Sequence, residues 1–119
     1  MPDAVKKYDI VLVNLNPTRG SEQRGIRPCL VLQNNEANKR SQTTVIAIFS
    51  SVIKYFPHTM VVDPTRHNGL KKKSRLDLLQ IRTIDRHRVI KKLGMLDASY
   101  RAELRERFEV SFDLEDLFE

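Results

Sequence analysis

Short runs rich in aliphatic and β-branched residues alternate with polar, Gly- and Pro-bearing stretches along most of the chain, a rhythm that predicts strands rather than helices. Tyr8–Asn16 (YDIVLVNLN) is predicted as the first strand, ending at Asn16-Pro17. Pro17–Ile26 collects Pro, Gly, Ser and charged residues, with Gly20 and Gly25 as pivots, and is predicted as a loop. Arg27–Gln33 is a second strand. Pro28, which lacks an N–H, can sit only near its start or at an edge. Asn34–Ser41 is polar, with room for a helical turn. Thr43–Ser50 (TTVIAIFS) is apolar and β-branched enough to be a buried strand. After the connection Ser51–Pro57 come a short strand at Thr59–Asp63 and turn signals at Asp63-Pro64 and Asn68-Gly69. One or two strands follow in Arg75–Ile84, and a last β segment, Arg88–Leu96, is interrupted by Gly94.

At Asp97 the period changes. Tyr100, Leu104, Phe108 and Phe112 recur at every fourth position, with Arg101, Glu103, Arg105, Glu106 and Glu109 mostly off that line. Such a stripe predicts an amphipathic helix, with Asp97 placed as its N-cap. Core packing is the usual use of aromatics at this spacing, so the stripe is read as docking the helix onto the sheet or a partner. Many short strands and one terminal helix, with no repeat, linker or low-complexity segment, predict a mainly β fold with helices (α+β). The expected form is a small, strongly bent β-barrel with a C-terminal helix, residues 1–119 making a single domain. A domain of 119 residues buries about two-thirds of the surface its unfolded chain exposes. That margin is thin enough for a dimer to help.

Composition is ordinary for a globular chain, with 40% hydrophobic and 30% charged residues. The net charge of +6 and a pI near 9.7 point to an anionic partner, most commonly nucleic acid. The distribution sharpens this. Residues 1–65 carry 8 basic and 5 acidic side chains, residues 66–92 carry 10 and 2, and residues 93–119 carry 3 and 8. A concentrated basic excess is what a phosphate-binding face requires. Cys29 is the only cysteine and lies in the apolar run Cys29–Leu32, so it reads as a buried structural thiol. The start, MPDAVKKYD, lacks the apolar core of a signal peptide. No stretch has the length of a transmembrane helix, so a cytoplasmic location without membrane attachment is expected.

Much chemistry is excluded by what is missing. There is no P-loop, no G-x-G-x-x-G and no Cys/His cluster with zinc spacing. His58, His67 and His87 read as surface residues, and no two suggest an acid/base pair. Asp3, Asp9, Glu22, Glu36, Asp63, Asp77 and Asp85 show no ligand-like spacing, so neither a metal nor another cofactor is expected. The richest candidate is the loop Thr18–Arg27. It gathers Arg19, Glu22, Gln23, Arg24 and Arg27 between two glycines, and arginine offers a planar, permanently charged fork for phosphate. Composition alone would accept a solvated hairpin loop here. Ser50 and Ser51 end the buried strand, where a hydroxyl faces a cleft or closes a turn. Phe49 reads as core, while Tyr55 and Phe56 are open as base-stacking residues.

These pieces together resemble the MazF/PemK family of toxin endoribonucleases. The matching strings are Asp9-Ile10-Val11, N-P-T-R-G-S-E-Q-R-G-I-R-P (Asn16–Pro28), L-V-L-Q-N (Leu30–Asn34) and T-V-I-A-I-F-S-S (Thr44–Ser51). L-L-Q-I-R-T-I-D (Leu78–Asp85) and Gly94–Leu96 complete the set. The resemblance implies an SH3-like, PemK-type barrel and a homodimer whose groove takes single-stranded RNA. It also implies metal-independent cleavage at a short motif by 2′-OH attack, and a MazE-like antitoxin. Carried over, the catalytic residues are Arg27, Ser50 (threonine in the family) and Glu22. The RNA-binding set is Arg19, Gln23, Arg24, Lys54, Asp77, Gln80 and Arg82. Tyr8 replaces the family's common glycine before Asp. Leu79 replaces the acidic residue before Gln80, a role Asp77 on the same strand face is placed to take. Two alternatives stand beside this reading. One is a gyrase-binding toxin of the CcdB type, disfavoured by the absence of Trp and the acidic Leu114–Glu119 end. The other is a non-catalytic barrel that binds RNA or protein.

Overall fold

The computed structural model describes residues 5–17, 20 and 24–117. The strands are β1 (Asp9–Asn14), β2 (Ile26–Val31), β3 (Thr43–Ser50), β4 (Thr59–Val62), β5 (Ser74–Asp85) and β6 (Val89–Met95). Three helices accompany them: α1 (Asn35–Arg40), α2 (Arg101–Phe112) and α3 (Leu114–Leu117). The strands form one antiparallel sheet in the order β4-β5-β3-β2-β1-β6. Its edges, β4 and β6, are not hydrogen-bonded to each other, so the sheet is barrel-like without closing.

Both faces of this sheet are apolar, and each builds a core. Ile10, Leu30, Phe49, Leu76 and Leu78 lie in one, with Leu104 of α2 packed into it. Val11, Val13, Cys29, Val31, Ile46 and Ile48 lie in the other. Alternate residues of the same strands thus point to opposite cores, which is why these strands read as near-continuous hydrophobic runs. Register shifts at Ile10/Val11, Leu12/Val13 and Ala47/Ile48 supply the bends that a curled sheet needs.

Arg75–Ile84, read as one or two strands, is a single strand within β5, and two other local expectations are corrected. The shift beside Ile48, where Ala47 pairs Ile81 and Ile48 pairs Asp77, leaves Leu78–Gln80 as a bulge, and this blurred the sequence pattern. Asp97 precedes a 3-10 turn, Ala98–Tyr100, and makes no capping bond to it. Its carboxylate accepts from Thr65 Oγ1 and Asn68 Nδ2, both at 2.8 Å, because a loop sits closer than the helix end. The helical stripe is buried only in part. Leu104 is buried and Tyr100 and Phe108 pack on the core, whereas Phe112 is 40% exposed and rests its ring 5.0 Å from Phe108.

Tyr8 has φ +74°, a conformation that favours glycine. Its ring packs on the core and lies 4.2 Å from the Arg101 guanidinium, contacts that offset the backbone cost. Cys29 is fully buried, and burial pushes its thiol up to about 12 even though Arg82 and Arg27 pull the other way. It is the inert structural thiol the sequence suggested.

Candidate functional site

Pro28 sets the geometry of the site. It lies opposite Leu12 of β1, but β2 pairs with β3 only from Cys29 onward. Phe49 and Ser50 therefore hydrogen-bond to β5 alone. Where β2 and β3 part, a pocket of about 310 Å³ opens, with Arg27 and Pro28 on one side and Phe49 and Ser50 on the other. The absent N–H of Pro28 helps keep the strands apart there.

Arg27 is half-buried, and its Nε donates to the Arg24 carbonyl at 3.0 Å. That bond tethers the guanidinium, and among the described residues its terminal nitrogens have no hydrogen-bond partner. Ser50 is buried, and its Oγ accepts from the Val52 N–H at 3.2 Å. That bond uses one of the oxygen's two lone pairs and leaves the hydroxyl hydrogen available to donate. Opposite Ser50 on β5 stands Arg75, also buried. Lys71, Lys72 and Ser74 bring a second wall, and Lys91 of β6 a third. Among the described residues no carboxylate lines the pocket, and no three His, Cys, Asp or Glu side chains gather where they could hold a metal ion. Such a cavity suits a phosphate group with hydrogen-bonding needs on several sides.

The wall carrying Lys71 and Lys72 is fixed from below. Asn68 is fully buried. Its Oδ1 accepts from the N–H groups of Thr65 and Leu70, and its Nδ2 donates to the Asp63 carbonyl and to Asp97. Leu70 is buried in the core, and Ser74 Oγ donates to the Lys72 carbonyl at 2.8 Å. Burial pushes the Asp97 carboxyl up, but the hydrogen bonds from Thr65 and Asn68 outweigh it and hold the group below its ordinary value. A carboxyl lowered on folding contributes its full stability above the unfolded value, roughly 3.9, and loses it as pH falls through the folded value. Asp97→Asn is therefore expected to lower Tm at pH 7, with the gap to wild type narrowing below about pH 4. A gap of constant size down to pH 3 in a thermal-melt series would contradict this.

The sequence of residues 6–112 matches the family described as PemK-like, MazF-like toxin of type II toxin-antitoxin system. The chain belongs to this family. It is 36% identical to the endoribonuclease EndoA of Bacillus subtilis (strain 168) over 114 residues, covering 94% of this chain and 97% of that one. The crystal structure of MazF (Form-I) from Deinococcus radiodurans superposes with a TM-score of 0.77 at 25% identity, covering 94% and 99% of the two chains. The MazE-MazF complex (Form-II) from the same organism gives 0.72 at 24% identity, covering 94% and 98%.

Within this MazF-like toxin the predicted residues separate. Arg27 and Ser50 share the pocket. Arg19, Glu22 and Gln23 lie outside the described residues. Arg24 is exposed beside Arg27, and Lys54 is exposed in the β3–β4 connection; neither lines the pocket. Asp77, Gln80 and Arg82 lie along β5, also away from it. Asp77 Oδ1 accepts from the Leu79 N–H at 2.9 Å across the bulge, 4.0 Å from His58 Nε2. Arg82 donates to the Leu15 carbonyl at 3.3 Å. Tyr55 is 74% exposed, and Phe56 stacks on His58 with ring centroids 5.2 Å apart. Ser74 and Asn68 were missed from sequence. Ser74 gave no signal beyond its place before a strand, and Asn68 registered only as half of an Asn-Gly turn. Among the described residues no helix is long and apolar enough to cross a membrane.

Proposed function

We propose that this chain is the toxin of a type II toxin–antitoxin pair and a sequence-specific endoribonuclease that cuts single-stranded RNA without a metal. The observation that carries this reading is the cationic pocket where Arg27 and Ser50 converge, with Lys71, Lys72 and Lys91 on its other walls. In the proposed step the ribose 2′-oxygen attacks the adjacent phosphorus and the bond to the 5′-oxygen breaks. The products are a 2′,3′-cyclic phosphate and a 5′-OH. Arg27 stabilises the charge that grows on the phosphorane, and Ser50 donates to a non-bridging oxygen. Glu22 accepts the 2′-OH proton and orients Arg27, and the leaving 5′-oxygen takes its proton from solvent water. Arg19, Gln23, Arg24, Lys54, Asp77, Gln80 and Arg82 are the further residues proposed to contact the RNA.

Residues 1–119 act as a single toxin domain in the cytoplasm, as a homodimer, and a MazE-like antitoxin restrains them. Support for the antitoxin comes from the Deinococcus radiodurans MazF-like fold, which was solved with MazE. The test is to incubate the purified protein with a long RNA in EDTA and map the new 5′ ends. Discrete cuts bearing 5′-OH groups are expected. Intact RNA would refute the nuclease reading, and 5′-phosphate ends would refute 2′-OH attack.

A further inference from the structure

The segment 66–92 carries 10 basic side chains, and the fold gives them different tasks. Arg82, Arg86 and Arg88 donate to the backbone carbonyls of Leu15, Ser41 and both Asn14 and Asn16. Lys92 lies 3.2 Å from the buried carboxylate of Asp9. Arg75 is buried on β5, paired with Ser50. Lys71, Lys72 and Lys91 are the members of the segment that line the pocket, and all three are exposed at its rim.

We propose that Lys71, Lys72 and Lys91 form a second phosphate subsite, which holds a backbone phosphate flanking the one that is cut. This rests on the pocket being the RNA-cleaving site. Lys91 lies across from Leu12, and Leu12 across from Pro28. Two strand spacings, about 10 Å, therefore separate the backbone of Lys91 from that of Pro28, next to Arg27. Arg27 and Lys91 thus approach the cavity from different strands, and Lys71 and Lys72 close the side between. Among the described residues none of the three lysines has an ion-pair partner. The loop that carries Lys71 and Lys72 is held at Asn68, Leu70 and Ser74, so like charges are kept around one cavity in the free protein. A ligand with two neighbouring negative charges offsets their repulsion, and a nucleic-acid strand presents phosphates in that way. The subsite grips the strand while Arg27 and Ser50 act on the bond, so it governs binding rather than the chemical step.

The experiment compares a triple variant, Lys71→Gln with Lys72→Gln and Lys91→Gln, against a charge-matched control, Lys6→Gln with Lys39→Gln and Lys73→Gln, whose lysines are exposed and off the pocket. Affinity for a short 2′-O-methyl RNA oligonucleotide, which cannot be cut, is measured across a salt series. The pocket variant is expected to bind at least about tenfold more weakly and to lose about one unit of salt slope, close to the 0.7 per neutralised phosphate of a single strand. Its Tm at low salt is expected to equal or exceed wild type. Equal losses in both variants overturn the subsite. On a cleavable RNA the pocket variant is expected to raise KM with kcat within about threefold, and a neutral methylphosphonate beside the cleaved linkage is expected to cancel the difference. A fall in kcat at unchanged KM would assign the lysines to the scissile phosphate and overturn the proposal. If wild type cuts nothing, the nuclease reading fails while the binding comparison still decides the subsite.

Discussion

Arg27→Ala is expected to lower the single-turnover rate of RNA cleavage by about 10²–10³-fold, the cost of removing one preorganised donor from a developing oxyanion, about 3–4 kcal/mol. The geometry supports an effect of this size. Arg27 is held at Nε by the Arg24 carbonyl and enters a pocket with no described carboxylate to compete for it. Its folding role is modest, since the side chain is half-buried and its one described hydrogen bond is to a neighbouring loop carbonyl. Tm is therefore expected to stay within a few degrees of wild type. Arg27→Lys keeps the charge but not the planar fork, so it should recover part of the rate and not all of it. A wild-type rate for Arg27→Ala would remove Arg27 from the chemistry. Equal loss in Arg27→Lys and Arg27→Ala would show that the fork, not the charge, is what matters.

Strand positions were legible because each carries its own apolar run, and Thr43–Ser50 was recovered to the residue. What the pattern could not show was where adjacent strands separate. Pro28 announced an exception to pairing, but only the register revealed that the gap faces Ser50 and forms a pocket. The basic segment was visible as composition, yet charge counts cannot tell Lys91, which faces the pocket, from Lys92, which is paired with Asp9 one residue later. Asp97 is a similar case. Its chemistry fits an N-cap, and a loop 29 residues earlier in sequence, at Asn68, claims the carboxylate instead. Long-range contacts decide such residues, and local spacing holds no record of them.

The turn at Gly69 joins the stability of the fold to the shape of the site. Gly69 has φ +72°, and a Cβ built on it would overlap the backbone carbonyl of Leu93 in β6. Gly69→Ala therefore meets two costs. The left-handed conformation costs about 1–2 kcal/mol for any residue with a Cβ, and forcing rigid backbone apart costs about 1–3 more. A total of about 3 kcal/mol corresponds to a fall in Tm of roughly 10 °C for a domain of this size. Gly25→Ala provides the comparison. Its φ is +85°, but no described atom lies within 4 Å of the added Cβ, so the conformational cost dominates and the fall in Tm should be about half as large. Because Gly69 lines the pocket beside Lys71 and Lys72, any Gly69→Ala protein that folds should also bind RNA more weakly, as the displaced turn carries both lysines with it. Equal Tm values for the two variants would mean that the loop can retreat from β6 without cost. The locked wall on which the lysine subsite depends would then be absent.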